Sequence, residues 1–265
     1  MAVPDIPSTN PITSTPKRNI GEYPWWLFII LLFILYMGWR ILTGEEYGQA
    51  FEFMRAGFGT TLYVTFMGFA LSVVLGLLAG MGRISRNPIA RQIAITYIEF
   101  IRGVPILVLI FTVAFVIVPD VSSFLNLSNS TVPQIWRGII ALATIYGAFL
   151  AEVFRAGIES IPKGQMEAAR SLGMSHRQAM QHIILPQAIR NILPALGNNF
   201  IAMLKDSSLI SVLAVADITY QAKLYSNASF RFRETYLILT FMYLTMTLVL
   251  SLLQQWYERR LDRED

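Results

Sequence analysis

The sequence predicts an all-α integral membrane protein with about six transmembrane helices, and three observations carry that expectation. Of 265 residues, 54% are hydrophobic and only 14% are charged, with a mean hydropathy of +0.51, whereas soluble domains carry about a quarter charged residues. Apolar stretches long enough to cross a bilayer recur along the chain. The basic residues gather in alternate connections between them, as the positive-inside rule requires. This composition excludes a disordered chain, a fibrous one and a cytosolic enzyme, because too little charge is present to solvate such a surface. The formal charge of +4 therefore reads as topology and not as a nucleic-acid footprint. Cysteine is absent, which excludes disulfides, thiolate metal sites and a thiol nucleophile.

Residues 1–24 are rich in Pro, Ser and Thr without an apolar period and read as a cytoplasmic tail. Residues 25–50 read as an N-terminal membrane anchor, whose apolar run from Trp25 to Leu42 is flanked by Trp25, Trp26 and Trp39. Interfacial tryptophans suit an anchor better than a cleaved signal peptide. The transmembrane domain proper extends over residues 51–257. Gly59 to Gly82 is uncharged. Ile93 to Val118 is interrupted by Glu99 and Arg102, which lie three apart and are expected to form a structural pair. Gln134 to about Phe154 and Ile189 to about Val215 carry Gly and Pro, as helices inside a bundle do. Thr235 to Tyr257 ends on an aromatic interface, and residues 258–265 form a second cytoplasmic tail. Lys17, Arg18, Arg83, Arg86, Arg91, Lys163, Arg170, Arg177, Arg259 and Arg260 then fall on one side, so both termini are expected in the cytoplasm, with Ser128 outside and Ser175 inside.

The connection between the fourth and fifth spans, about residues 160–186, is far longer than a turn. Its pattern is two short amphipathic helices: Lys163 to Leu172, ended by Gly173 in a left-handed position, and a second opened by a Ser175/Gln178 capping box and broken at Pro186. A compact helix–glycine–helix unit at the membrane face suits docking. Neither enzyme chemistry nor a metal is indicated. No Gly-Lys dipeptide exists from which to build a phosphate loop, and the two histidines, His176 and His182, are six apart and face different sides of a helix.

Within this connection, Glu167, Ala168, Ala169, Gly173, Ile183, Leu185 and Pro186 keep the spacing of the EAA signature. The flanking stretches YIEFIRGVPILVLIF and LPQAIRNILPALGNNFIAMLKDSSLISVLAVADITYQA are similar to the same group of proteins. Over roughly Ala56 to Tyr257 the chain resembles the permease subunits of bacterial ATP-binding-cassette importers, in the polar amino acid uptake branch. Two departures are Val104, where a small polar residue is usual, and the N-terminal extension, which adds a helix to the usual five.

The resemblance implies a type I importer permease in the bacterial inner or plasma membrane, with no catalytic residue and no cofactor of its own. ATP would be bound by two separate ATPase subunits, contacted through the seven signature residues. A second permease subunit, identical or not, would complete the pathway, and an extracytoplasmic solute-binding protein would deliver a polar amino acid or an amino-acid-like solute such as an opine, ectoine or cystine. An ion-coupled secondary transporter is the alternative, but it needs internal repeats and midplane carboxylates, and the sequence shows no self-similar halves. The candidate substrate pathway lies where Lys205 and Asp206 interrupt the fifth span. An unpaired carboxylate at the bilayer centre costs at least about 2.5 kcal/mol, so either Asp206 faces an aqueous cavity, with Ser207, Ser208 and Asn199 as neutral hydrogen-bonding groups, or Lys205 and Asp206 lie near the outer interface, or Asp206 pairs with an arginine of another helix.

Overall fold

A computed structural model describes residues 25–126 and 132–261. The terminal tails before residue 25 and after residue 261, and Ser128, lie outside the described residues. Among the described residues all regular structure is helical. The anchor is α1 (Trp25–Thr43), followed by α2 (Glu45–Met54) and a short 3-10 turn, Arg55–Gly57, that leads into α3 (Phe58–Arg83). The next helix, α4 (Pro88–Gly103), folds back on α3, where the Ala94 Cβ sits against Gly82. Then come α5 (Ile106–Thr112), a π-helical segment Val113–Ile117 and α6 (Val118–Phe124). The central helix is α7 (Gln134–Glu159), and the long connection holds α8 (Lys163–Ser171) and α9 (His176–Ala179). A second π segment, Met180–Ile184, joins α9 to α10 (Leu185–Asp206), and a 3-10 stretch, Ser207–Leu213, precedes α11 (Ile218–Ser229) and α12 (Phe232–Leu261).

Among the described residues, five helical stretches are long and apolar enough to cross a membrane: Trp25–Thr43, Glu45–Arg83, Ile106–Phe124, Gln134–Glu159 and Phe232–Arg260. The remaining expected span, the fifth in chain order, corresponds to α10, whose 22 residues reach about 33 Å at 1.5 Å per residue. Its Arg190, Lys205 and Asp206 make it polar, and it packs against α7, α12 and α3.

Four boundaries differ from expectation, three of them at a proline. The third span is not one helix from Ile93 to Val118. Pro105 disfavours the helical region for the residue before it, so Val104 is extended (φ −115°, ψ 138°) and breaks α4 from α5. Pro186 does not end the second docking helix. The chain widens into a π turn, in which the Leu185 N–H bonds the Met180 carbonyl, and continues into α10. Pro119 is preceded by the same device, the Val118 N–H bonding the Val113 carbonyl. A proline lacks an N–H and crowds the carbonyl four residues back, and a π turn relieves both problems without stopping the helix. Lastly, the fifth span stops being α-helical at Asp206, so Ser207 and Ser208 belong to the 3-10 stretch.

Small residues hold the centre together. Thr61, Thr65, Gly68, Ser72, Gly76 and Gly80 recur along the buried face of α3, a spacing that lets helix backbones approach where hydrophobic burial between helices gives no driving force. A Cβ at Gly76 would stand 2.7 Å from that of Leu150 on α7. The first turn of α3 is tied to α11: the Ile218 N–H donates to Thr61 Oγ1 at 3.2 Å. Asp217 caps α11 by accepting from the Tyr220 N–H at 2.7 Å, and burial pushes its carboxyl up to about 7. The N-terminal extension is part of the packed structure. Met37 of α1 and Tyr47, Ala50 and Met54 of α2 share a core with Ile238, Met242 and Met246 of α12, and Arg40 stacks on the Tyr47 ring at 4.3 Å.

Candidate functional site: a docking turn and an intramembrane carboxylate

The docking turn is built by backbone geometry. At the end of α8 the Met174 N–H reaches the Ala169 carbonyl (3.2 Å) and the Gly173 N–H the Arg170 carbonyl (3.0 Å), the bond pair of a Schellman cap, with Gly173 at φ +86°. Ser175 then opens α9 with both bonds of a capping box, Gln178 N–H to Ser175 Oγ at 3.3 Å and Ser175 N–H to Gln178 Oε1 at 2.8 Å. Two caps back to back fix the angle between α8 and α9, with only the small side chains of Ala169 and Ala179 buried on the two helices.

The seven signature residues divide into two groups. Glu167, Ala168, Gly173, Leu185 and Pro186 are exposed, Ile183 is half-buried, and Ala169 is buried, 4% exposed. Glu167 and Ala168 thus present an outward face while Ala169 seats α8 on the helix behind it. Sequence reasoning missed Leu172, an apolar side chain 85% exposed at the tip of the turn. Its signal was an apolar residue directly before the terminating glycine.

Beneath the turn, charges join three helices. Arg83 at the end of α3 reaches Glu152 of α7 at 2.6 Å and Glu99 of α4 at 3.4 Å, while Arg155 meets Glu152 at 2.9 Å and also Glu159. Glu99 therefore does not pair with Arg102, which is exposed. The face of α4 that bears Glu99 meets the end of α3, so Arg83 supplies the counter-charge from another helix.

The Asp206 carboxylate has one defined partner. Tyr146 of α7, 2% exposed, donates its hydroxyl to Asp206 Oδ2 at 2.8 Å. Asn199 lies seven residues before Asp206, near two full turns, and so shares its face of α10; its amide donates to the Ala195 carbonyl at 2.8 Å. Ser208 is half-buried, but Ser207 is fully buried and bonds back to the Leu204 carbonyl at 2.7 Å, which turns it away from any pathway on that face. Lys205 is exposed on a different face. Tyr146 was invisible in the sequence because sixty positions separate it from its partner. Among the described residues no group of His, Cys, Asp and Glu could hold a metal ion.

A helical membrane core with a capped helix–turn–helix connection and a polar helix packed at its centre fits a membrane transport permease. Residues 72–263 match the model of the binding-protein-dependent transport system inner membrane component family. The chain belongs to that family. It is 38% identical over 213 residues to the probable glutamine ABC transporter permease protein GlnM of Bacillus subtilis (strain 168), covering 80% of this chain and 95% of that one. It is 35% identical over 212 residues to the glutamine transport system permease protein GlnP of Escherichia coli (strain K12), covering 80% and 94%. A crystal structure of an amino acid ABC transporter with histidines superposes with a TM-score of 0.71 at 40% identity, covering 79% of this chain and 94% of that one. An inward-facing methionine ABC transporter, at 17% identity and a TM-score of 0.64, shares the fold.

Proposed function

We propose that this chain is the translocating subunit of an ATP-driven importer of a polar amino acid. The observation that supports it best is the docking turn: Leu172 and Glu167 are held outward by two complete caps on a chain with no phosphate loop of its own. The ATPase is then a partner. Closure of two ATPase subunits on ATP moves the α8–α9 unit, and because α9 runs through its π turn directly into α10, that movement reaches Asp206 along one continuous helix. Two copies of the permease, or this chain with a similar one, enclose the pathway. A solute-binding protein loads it from outside, in the bacterial inner or plasma membrane, with both termini cytoplasmic. The chain itself is not an enzyme and uses no cofactor of its own.

Glu167, Ala168, Ala169, Gly173, Ile183, Leu185 and Pro186 form or support the ATPase-facing unit in this account. Asp206, with Asn199 and Ser208, lines the pathway. One carboxylate oxygen is held by Tyr146, and the other is available to a substrate ammonium. Asp206→Asn is expected to reduce uptake about tenfold or more, the loss of one charge-assisted bond, while ATP hydrolysis without substrate persists. Unchanged uptake kinetics in an assembled complex would leave Asp206 structural.

Two further experiments test the reading. Leu172→Cys should cross-link to a cysteine series on the partner ATPase, and no cross-link in an assembled, ATP-hydrolysing complex would refute the docking role. Arg177→Cys should react with an impermeant thiol reagent only from the cytoplasmic side, and Ser123→Cys, at the exposed end of α6, only from the opposite side. The reverse pattern would invert the topology.

A further inference from the structure

A groove of about 1030 Å³ lies between the chain entering α3 and the flank of α12. Phe58 and Leu62 line one wall, Phe241 and Val249 the other, and Glu52 and Arg55 stand at one end. Arg55 and Glu52, three residues apart, form an ion pair with each other, and each side chain is more than half exposed, so the pair presents a solvent-facing dipole. Its walls belong to two stretches able to cross the membrane, Glu45–Arg83 and Phe232–Arg260, and Phe58 and Val249 are 41% and 50% exposed.

Depth can be counted along the helix. A hydrocarbon core of about 30 Å takes about 20 helical residues; measured back from Gly80, it begins near Thr61. Arg55 then stands roughly 9 Å beyond that boundary, within the headgroup layer, and Leu62 just inside the hydrocarbon. The groove runs from a dipolar mouth among the headgroups into an apolar slot.

We propose that this groove is a binding site for a phospholipid with a phosphoethanolamine headgroup. Its phosphate meets the Arg55 guanidinium, its ammonium meets the Glu52 carboxylate, and an acyl chain lies along Phe58, Leu62, Phe241 and Val249. Charge complementarity selects the headgroup. An anionic phosphatidylglycerol would compete with Glu52 for Arg55 and set two negative charges side by side, whereas the zwitterion lies antiparallel to the Glu52–Arg55 pair and gives each member a second opposite charge. The lipid would wedge the start of α3 against α12, beside the core that seats the N-terminal extension.

The test is lipid retention by the full chain in its assembled complex, reconstituted in nanodiscs of equal phosphatidylethanolamine and phosphatidylglycerol and read by native mass spectrometry. Wild type should retain phosphatidylethanolamine in preference, by about fivefold per charge contact. Glu52→Gln with Arg55→Gln should abolish the preference without changing total retention, and Val249→Trp should reduce retention of both lipids. Equal retention of the two lipids by wild type would overturn the proposal, with no variant needed. So would a preference unchanged in the double variant, or a disulfide between two copies carrying Val249→Cys, which would show a second permease filling the groove.

Discussion

Gly57→Ala is expected to destabilise the folded domain strongly. A Cβ at this position would stand 2.4 Å from the Asp217 carbonyl carbon and 2.5 Å from both the Asp217 oxygen and the Ile218 nitrogen. All three are backbone atoms, and they cannot yield as a side-chain tip would. They also belong to the turn that caps α11, so any shift breaks the Asp217 cap or the bond from Ile218 to Thr61. Overpacking typically costs 1–3 kcal/mol, and with a fixed backbone opposite the cost here is placed at about 3 kcal/mol or more. That corresponds to a fall of roughly 10 °C in thermal midpoint for a domain of this size. Gly59→Ala is the control, because nothing lies within 4 Å of its added Cβ. Thermal unfolding of the two variants in one detergent checks the account; equal midpoints would show that the contact between α3 and α11 is loose.

Gly173→Val is expected to abolish transport while leaving insertion and stability nearly intact. Nothing lies within 4 Å of a Cβ placed there, so the effect is conformational and not steric. At φ +86° a β-branched residue is strained by about 1–3 kcal/mol, enough to open the Schellman cap and release the angle between α8 and α9. Gly173→Asn should retain much of the activity, since Asn tolerates left-handed backbone. Uptake should therefore rank wild type, then Asn, then Val, with similar amounts of each protein in the membrane. Normal uptake by the valine variant would mean that the angle of the turn does not matter for coupling.

Both variants rest on features of very different legibility. The docking turn could be read in the sequence because it is local: a glycine after an amphipathic run and a Ser175/Gln178 pair specify caps within a few residues. The membrane helices were legible for the same reason, as composition over a window decides them. Proline effects were half legible. Pro105 breaks the helix by constraining Val104, but Pro119 and Pro186 are absorbed by π turns, and nothing in the local residues distinguishes a proline that stops a helix from one that widens it.

Local charge pairs were legible, as Glu152 and Arg155 on one helix show, but partners on other helices were not. Glu99 had a nearby arginine in sequence and a different one in space, because the direction in which α4 packs decides the pairing. Tyr146 and Asp206 meet only because α10 lies along α7. The contact between Gly57 and Asp217 likewise joins segments far apart in the chain, so a glycine that looks like an ordinary helix start has a backbone directly against it.

Under the proposed function, this chain moves an amino acid only when driven through its docking turn by a separate ATPase. The most direct test is uptake by proteoliposomes containing the chain with its partner ATPase, any second permease and a cognate solute-binding protein. The account predicts accumulation of a polar amino acid that requires ATP, the ATPase and the binding protein together. Accumulation driven by a proton or sodium gradient, with the chain alone in the vesicle, would contradict it.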